Sequence, residues 1–359
     1  MKIWIDGYEA NVPQRLGSSQ VAFELLRNLE KIDKKNDYTI LLPSPPLGDL
    51  PEEREGWKYK ILKPKRLWTQ IALPLYLYLS RNKPNIFFSP THYIPRFCPL
   101  GIKRICTIFD LSFVHFPEMF NAKDLWQLKN WTKFSVANAD HIITISNTSK
   151  KDIIGQYAVD KEKITVAYPG FNKEVFKKTQ VKTGNYIIYV GTVQPRKNLI
   201  RLIEAVSRIE DLKLFIVGKT KGEGREGWMY EDILQAPKKL GIEDRVKFLG
   251  FVPTEKLPKL LSGALAFVEV SLWEGFGIPV VEAMAAGVPV IVSNASSLPE
   301  IVGKAGLLVD PYSVDQIEQA IRTVVSDKKL HQKLSRLGLE QARKFSWDKM
   351  AKALLKLYN

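Results

Sequence analysis

Short apolar runs alternate along most of the chain with stretches whose apolar residues recur at helical spacing. The short runs predict buried strands, and the periodic stretches predict helices between them. The predicted strands are residues 2–6, 38–43, 59–63, 86–90, 105–110, 141–146, 186–190, 212–218, 246–250, 264–270 and 288–293. The main predicted helices are residues 19–31, 67–80, 123–138 and 199–209, the second interrupted at Pro74. Strands joined through helices run parallel, so the pattern predicts an α/β fold.

A polar stretch, residues 172–185, divides this alternation into two halves with the same pattern. The length of 359 residues also exceeds one ordinary domain, and two domains are usual at this length. We therefore predict two doubly wound, Rossmann-like domains, residues 1–172 and 173–345. Ligands of such sheets bind at the carboxyl ends of the strands, so two facing domains would form an interdomain cleft.

The segment 264–293 combines a strand, a glycine-rich loop, a short helix and a second strand. Pro279 suits the first helical position, where its missing N–H removes no hydrogen bond. Gly275 and Gly277 allow a ligand to approach the backbone closely. The amides around Gly277 and Ile278 open a helix N-terminus, which favours anionic groups. This loop is therefore the strongest candidate ligand site in the sequence.

Two carboxylates, Glu274 and Glu282, flank the loop with seven residues between them. Glu274 precedes the helix and Glu282 lies about one turn inside it, so both can face one crevice. Carboxylates in that place suit the hydroxyl groups of a ribose or a sugar ring. On the residues alone, an ordinary loop with two solvated glutamates is the favoured interpretation.

Two cations follow the first predicted strand of the second half. Gly191 directly follows that strand, and Arg196 and Lys197 come shortly after it, beside a helix start. Cations at the carboxyl end of a sheet can neutralise the charge that develops on a diphosphate leaving group. Two solvated loop cations are the alternative interpretation.

The chain has 53 Lys and Arg against 38 Asp and Glu, a formal charge of +15. No acidic residue occurs between Glu55 and Asp110. That basic interval contains ten cations: Lys58, Lys60, Lys63, Lys65, Arg66, Arg81, Lys83, Arg96, Lys103 and Arg104. It could attract anionic lipid headgroups or a polyphosphate, or it could be an ordinary solvated face.

The cysteines and the apolar runs bear on the compartment. Cys98 and Cys106 form neither a disulfide framework nor a zinc motif, which fits a reducing cytoplasm. A strand is predicted from residue 2, with no signal peptide before it. No uninterrupted apolar run approaches 18 residues. We expect a cytoplasmic protein that could be peripheral at the inner face of the membrane.

The string from Glu274 to Gly287, Glu-Gly-Phe-Gly-Ile-Pro-x-x-Glu-Ala-Met-Ala-x-Gly, resembles the signature of retaining glycosyltransferases of family 4. The spacing Gly191-x-x-x-x-x-Lys197-Asn198 resembles a second pattern of that family. The resemblance implies a GT-B architecture of two facing Rossmann-like domains. It also implies that a last helix, about 346–359, crosses back onto the first domain.

By this resemblance, Glu274 would hold sugar hydroxyls, Glu282 the ribose, and Arg196 with Lys197 the diphosphate. Gly17 would belong to a first-domain glycine loop against the donor phosphates. The implied donor-binding residues are Gly17, Ser18, Gly191, Arg196, Lys197, Val252, Gly275, Phe276, Gly277, Ile278 and Glu282. The segment after Ser297 would help to close the donor site, with Glu300 in it.

The acceptor side departs from the family pattern. A His-Asp pair usually follows the corresponding strand, but here Phe109 precedes Asp110. We expect Asp110 to act as a catalytic residue, with Glu274, by orienting acceptor or donor. His115 and His92 are the candidates for the missing histidine, although a lone histidine is more often structural.

The resemblance implies transfer of a hexose from a nucleotide-sugar to a glycan or lipid-linked glycan, with retention at the anomeric carbon. Mannose from GDP-mannose is favoured, because residues 110–113 and 297–300 look like those of O-antigen mannosyl enzymes. By family analogy no metal or other cofactor is needed, and no Asp-x-Asp motif is present. We expect a nucleotide-sugar, an acceptor glycan and an anionic membrane as partners, and no nucleic acid.

Two alternatives stay open at this point. One is another GT-B-type enzyme, either a sugar-nucleotide epimerase or a phosphorylase. The other is a non-catalytic basic protein that binds membranes or nucleic acid.

Overall fold

A computed structural model describes residues 1–219 and 230–358. The chain divides into two compact units, each described here by itself. Unit 1 comprises residues 1–170 and 346–359, and unit 2 comprises residues 171–345. The glycine- and charge-rich loop predicted from residue 219 to 227 lies, beyond Lys219, outside the described residues.

Unit 1 is built on a seven-stranded sheet in which every pair of neighbours is parallel. The strands are β1 Lys2–Asp6, β2 Asp37–Leu42, β3 Trp57–Ile61, β4 Ile86–Ser89, β5 Lys103–Ile108, β6 His141–Thr144 and β7 Ile164–Val166. Their spatial order is β3-β2-β1-β4-β5-β6-β7. The order reverses between β1 and β4, and the carboxyl ends of strands at such a point form the usual ligand crevice.

The helices of unit 1 cover its sheet. They are α1 Ser18–Ile32, α2 Leu73–Leu79, α3 Ser112–His115, α4 Ala122–Asn138 and α5 Asn147–Tyr157. A π-helical turn, Trp68–Ala72, runs directly into α2, where Pro74 occupies the first turn. The interruption predicted at Pro74 is therefore a change of helix type, which suits a residue without an N–H.

A terminal helix, Trp347–Leu355, completes unit 1 and packs against α1. Just beyond it, the Leu357 carbonyl accepts a hydrogen bond from Lys103 Nζ at 2.6 Å, and Tyr358 is buried near Tyr38. Gly170 lies so close to this segment that a Cβ there would stand 2.1 Å from the Trp347 nitrogen. Glycine is therefore required where the two stretches of unit 1 meet.

Unit 2 has a six-stranded sheet, also wholly parallel. The strands are β8 Tyr186–Val190, β9 Lys213–Val217, β10 Val246–Gly250, β11 Ala266–Glu269, β12 Val290–Ser293 and β13 Gly306–Val309. They lie in the order β10-β9-β8-β11-β12-β13, so the order reverses between β8 and β11.

The described helices of unit 2 flank this sheet. They are α6 Leu199–Ser207, α7 Glu231–Lys239, α8 Leu257–Ser262, α9 Ile278–Ala285, α10 Leu298–Val302, α11 Val314–Ser326 and α12 Lys328–Ala342. One hydrophobic core joins β8, β9 and β11 to α6, α7 and α11. The prediction of two doubly wound, Rossmann-like sheets is confirmed. Strands β7 and β13, one edge strand of each sheet, were not among the predicted strands.

Candidate active site

The two loops singled out in the second half leave neighbouring strands. The loop after β8 carries Arg196 and Lys197, and the loop after β11 carries Glu274. Strands β8 and β11 are parallel neighbours at the point where the strand order of unit 2 reverses. Both loops therefore start at the crevice where parallel sheets bind ligands.

A buried lysine joins the two loops. The Nζ atom of Lys197 lies 2.5 Å from Glu274 Oε1 and 3.2 Å from Glu269 Oε1. Lys197 is only 7% exposed, Glu274 8% and Glu269 0%. Solvated side chains, the alternative considered for both Lys197 and Glu274, are thus excluded. Glu269, the last residue of β11, was not predicted as a site residue. An acidic residue inside an apolar run could have indicated it.

The charges in this cluster act on one another. Burial raises the pKa of Glu274, but Lys197 and Arg196 outweigh burial and hold that pKa below its ordinary value. Burial dominates at Glu269 and raises its pKa to about 7, against the opposing effect of Lys197. Glu274 is therefore the stably ionised partner of the lysine, while Glu269 changes charge near neutral pH.

Backbone contacts fix Arg196 and its neighbours. A 3-10 turn, Pro195–Lys197, brings the Arg196 carbonyl to the Leu272 N–H at 2.8 Å. The guanidinium donates to the Trp273 carbonyl and lies 3.2 Å from Glu274 Oε1.

Asn198 adds a further anchor to the same loop. Its side-chain amide donates to the carbonyls of Val270, at 3.0 Å, and Pro311, at 2.6 Å. The amide thus ties the loop after β8 to two other segments of unit 2, which fixes the height of the adjacent cations over the sheet.

Serines after β12 hold the backbone of Glu274. The Glu274 N–H donates to Ser296 Oγ at 2.9 Å, and Ser297 Oγ donates to the Glu274 carbonyl at 2.9 Å. Ser293 Oγ donates to the Ser271 carbonyl at 2.7 Å. Glu274 is therefore fixed at both ends, by cations at its carboxylate and by serine hydroxyls at its backbone.

The glycine loop leads into α9 as predicted. Gly277 caps the helix with φ 93°, and a Cβ there would lie 2.8 Å from Leu298 Cδ2. Gly275 is buried and Ile278 is half-buried. The Phe276 ring is buried edge-on against Phe345, with ring centroids 5.4 Å apart. Because the Phe276 ring is buried, we expect this residue to contact a ligand through its backbone.

Glu282 lies on α9 and is half-buried. Burial raises the pKa of its carboxyl group to about 8.

Gly191 directly follows β8. A Cβ at this position would lie 2.5 Å from the Tyr189 hydroxyl oxygen, so a larger residue would have to displace that ring. Val252 instead lines a cavity of about 700 Å³ with Tyr186 and Lys259, beside α8. Lys197, Glu269 and Glu274 do not line that cavity, so it is separate from the place where the loops after β8 and β11 meet.

In unit 1 the predicted glycine loop opens α1. Gly17 is the N-cap residue, with φ 54°, and Ser18 is the first residue of this 15-residue helix. Asp6 ends β1 and accepts a hydrogen bond from Trp68 Nε1 at 2.9 Å. Burial raises the pKa of Asp6 to about 6. Sequence analysis did not single out Asp6, which lay hidden at the end of a strand.

The structure separates the two candidate histidines. His92 Nε2 accepts the Phe109 N–H at 2.9 Å, and the two rings stack with centroids 5.6 Å apart. Because Nε2 accepts, the ring proton lies on Nδ1, which has no hydrogen-bond partner in the described part of the chain. Burial lowers the pKa of His92 to about 4, against the charge of Asp110. His115 instead lies 2.8 Å from Asp152.

Asp110 itself is half-buried. Its Oδ1 atom accepts the Ser112 N–H at 2.8 Å and so shapes the entry into α3. Glu300 lies in the first turn of α10 and is also half-buried. Asp110 and His92 form one neighbourhood in unit 1, and the ion cluster forms another in unit 2.

Two family profiles match the chain. The family described as "Glycosyl transferases group 1" matches residues 171–341, and "Glycosyltransferase Family 4" matches residues 16–175. The O-antigen chain mannosyltransferase B of Escherichia coli is 30% identical over 313 residues, 84% of this chain and 78% of that protein. The O-antigen chain mannosyltransferase RfbU of Salmonella typhimurium is 33% identical over 253 residues, 70% of this chain and 68% of the relative.

Solved structures share the fold along the whole chain. Sucrose-phosphate synthase of Thermosynechococcus elongatus superposes with a TM-score of 0.80 at 20% identity, covering 99% of this chain and 98% of that one. Anabaena Alr3699/HepE in complex with UDP-glucose superposes with a TM-score of 0.76 at 18% identity, covering 100% and 99%. At this identity the likeness concerns the fold alone.

Proposed function

This chain belongs to family 4 of the GT-B glycosyltransferases, and from that membership we propose that it transfers mannose from GDP-mannose, with retention, to a glycan or lipid-linked glycan. The observation that carries the proposal is the buried cluster of Lys197, Arg196, Glu274 and Glu269 at the carboxyl ends of β8 and β11. It combines cations for a diphosphate with a carboxylate for sugar hydroxyls.

The cations would stabilise the departing nucleoside diphosphate. An ammonium group has three protons, and the two glutamates near Lys197 account for two of them. The third proton and the Arg196 guanidinium are suited to diphosphate oxygens, which gain charge as the glycosidic bond breaks. We assign this neutralisation to the two side chains and propose that no metal ion is required.

Glu274 would orient the sugar rather than attack it. The Glu274 carboxylate is paired with two cations, and two serine hydroxyls hold its backbone, so it is a weak nucleophile but a well-placed hydrogen-bond acceptor. In the proposed step the C1–O bond to the diphosphate breaks while the C1–O bond to the acceptor forms on the same face. The acceptor proton passes to the departing diphosphate oxygen, so the reaction needs no protein nucleophile.

Asp110 would orient acceptor or donor from unit 1. We assign His92, and not His115, to the place of the histidine that the family pattern has before Asp110. Support comes from the contact of His92 with both the ring and the N–H of Phe109, whereas His115 pairs with Asp152.

The donor proposal rests on the relatives, two of which are named O-antigen chain mannosyltransferases. We also propose that the basic interval between Glu55 and Asp110 brings the enzyme to an anionic membrane, where a lipid-linked acceptor resides. Within residues 1–219 and 230–358, no helix is both long and apolar enough to cross a bilayer.

The first test is a thermal-shift series with GDP, UDP and ADP, each with and without EDTA. A ligand of the native state raises the melting temperature by mass action, so a shift with GDP alone, unchanged by EDTA, is expected. Turnover of GDP-mannose with a glycan acceptor should then give a product with the donor's anomeric configuration by NMR. Turnover that requires inorganic phosphate, or isomerisation of the donor without acceptor, would instead indicate a phosphorylase or an epimerase.

A matched pair of variants locates the activity. Glu274→Gln keeps the size of the side chain but removes its charge, and it should abolish turnover while the GDP shift remains. Glu243→Gln removes the same charge from an exposed position of unit 2 and should leave turnover unchanged. Equal activity of the two variants would contradict the role given to Glu274.

A further inference from the structure

One surface of unit 1 exposes an apolar stripe that belongs to no core. The stripe runs along the π-helical turn and α2 and consists of Ile71, Leu75, Tyr78 and Leu79, which are 42%, 49%, 52% and 72% exposed. Their spacing of four, three and one residues keeps all four on one side of the helical segment. The opposite side is buried against the sheet through Trp68, Ala72, Leu73 and Leu77.

A second exposed apolar pair lies over the same face of the sheet. Phe97 is 67% exposed, and Leu100 is completely exposed. They flank Cys98, which packs against the cluster that contains Leu73, Leu77 and Ile102. The residue before Phe97, Arg96, shares a small cavity with Thr69 and Gln70 of the π-helical turn. The stripe and the pair therefore both border the core cluster that contains Leu73 and Leu77, and together they are called the α2 face.

Exposed cations flank the helical segment of the α2 face on both sides in the sequence. Exposed Lys63, Lys65 and Arg66 precede the helical segment, and exposed Arg81 and Lys83 follow it. The ammonium group of Lys83 also donates to the carbonyls of Leu77 and Tyr78, both at 2.9 Å, which anchors it at the C-terminal end of α2. No carboxylate occurs in the segment from residue 56 to 109.

We propose that the α2 face inserts into the interface of an anionic bilayer. Exposed apolar side chains flanked by Lys and Arg match such a surface, because headgroup phosphates lie just above the boundary of the acyl chains. A second copy of the chain fits worse, because the same five cations would face one another across the contact. The inference adds insertion to the membrane contact proposed above and rests on that part of the proposed function.

Insertion and simple electrostatic adhesion differ in their response to salt. Surface attraction is screened within about 8 Å at physiological ionic strength and within about 3 Å at 1 M. Burial of apolar side chains is not weakened by salt. Binding to anionic vesicles that persists at high salt therefore reports the apolar stripe, and the salt-sensitive part reports the cations.

The experiment is cosedimentation of the full chain with vesicles of phosphatidylcholine containing 30% phosphatidylglycerol, at about 0.1 M and 1 M NaCl. The Leu75→Gln/Leu79→Gln variant should bind on the order of a hundredfold more weakly at 1 M NaCl, about tenfold for each leucine. Leu308→Gln is the control, because Leu308 is an aliphatic residue of unit 2 whose exposure of 45% is close to the 49% of Leu75. In Leu79→Trp, the emission of the new indole should shift to the blue on addition of vesicles.

The outcomes separate the inference from the proposed function. If the double variant binds at 1 M NaCl as well as the unsubstituted chain, insertion is wrong, whatever the enzyme transfers. If the unsubstituted chain self-associates without vesicles and the double variant does not, the α2 face is a dimer contact and the inference is overturned. Transfer to a water-soluble acceptor should be unchanged in the double variant. If the unsubstituted chain binds vesicles but transfers no sugar, and the double variant loses the vesicle binding, the proposed transfer is wrong and the insertion is supported.

Discussion

Replacing Lys197 with methionine removes the one ammonium group that two buried glutamates share. Lys197→Met keeps most of the apolar volume but leaves Glu269 without its cation and Glu274 with only Arg196. Breaking a buried ion pair by removing one partner typically costs about 3–5 kcal/mol. For a unit of this size, about 2–4 °C per kcal/mol gives a drop in melting temperature of about 6–20 °C at pH 8.

The size of this loss should depend on pH in one direction. The pKa of Glu269 in the native state, about 7, lies above the unfolded value of 4.5, so ionisation on raising the pH through that window destabilises unit 2. Without Lys197 the native pKa rises further, and the penalty grows between pH 5.5 and pH 8. The growth is about 1.4 kcal/mol for each pH unit above the native pKa of about 7, and so about 1.4 kcal/mol by pH 8.

Differential scanning calorimetry at pH 5.5 and pH 8 measures both effects, with the second variant Lys197→Met/Glu269→Gln as control. The double variant also removes the Glu269 carboxylate, which is left without a cation when Lys197 is replaced. Its melting temperature at pH 8 should therefore be higher than that of Lys197→Met. A single variant that melts like the unsubstituted protein at pH 8, or a double variant no more stable than the single, would refute the reasoning.

Three further predictions concern the two neighbourhoods of functional residues. Glu282→Gln should weaken GDP binding in calorimetry. It should also raise the melting temperature, by an amount that grows from about pH 4.5 to about pH 8 and is constant above, because the native pKa of Glu282, about 8, exceeds the unfolded 4.5. His92→Gln should lower kcat at least tenfold while His115→Gln leaves it within twofold; the reverse order would contradict the assignment. Gly277→Ala should destabilise unit 2 by about 1–3 kcal/mol in urea titrations and lower donor affinity, because φ 93° and Leu298 both oppose a Cβ.

The sheets could be predicted because buried parallel strands are continuous apolar runs. Strands such as Ile86–Ser89 and Val290–Ser293 are buried at every position, and both were predicted. The two strands that escaped, Ile164–Val166 and Gly306–Val309, lie at sheet edges and are only partly buried. Both are also short, with three and four residues, whereas the edge strands Trp57–Ile61 and Val246–Gly250 have five each and were predicted at 59–63 and 246–250.

The candidate site could be predicted only where it is local. The glycine loop, the capping position of Gly277 and the flanking Glu274 follow from a short string of residues. The burial of Lys197 does not, because Glu269 and Glu274 lie more than 70 positions away in the chain. For the same reason the contact of His92 with Phe109, which separates it from His115, depended on the structure.

The packing of Trp347–Leu355 against α1 has a consequence for how the protein is made. The helix that packs against α1, and the Trp347 that Gly170 approaches, both consist of residues that the ribosome adds after all of unit 2. At synthesis rates of about 5–20 residues per second, residues 171–345 take about 9–35 s, during which unit 1 has no cover for α1. Unit 2 is continuous in sequence and can finish folding first. The N-terminal unit of this chain is therefore the last to be completed, and a nascent chain stalled before residue 346 would present the uncovered side of α1 to chaperones.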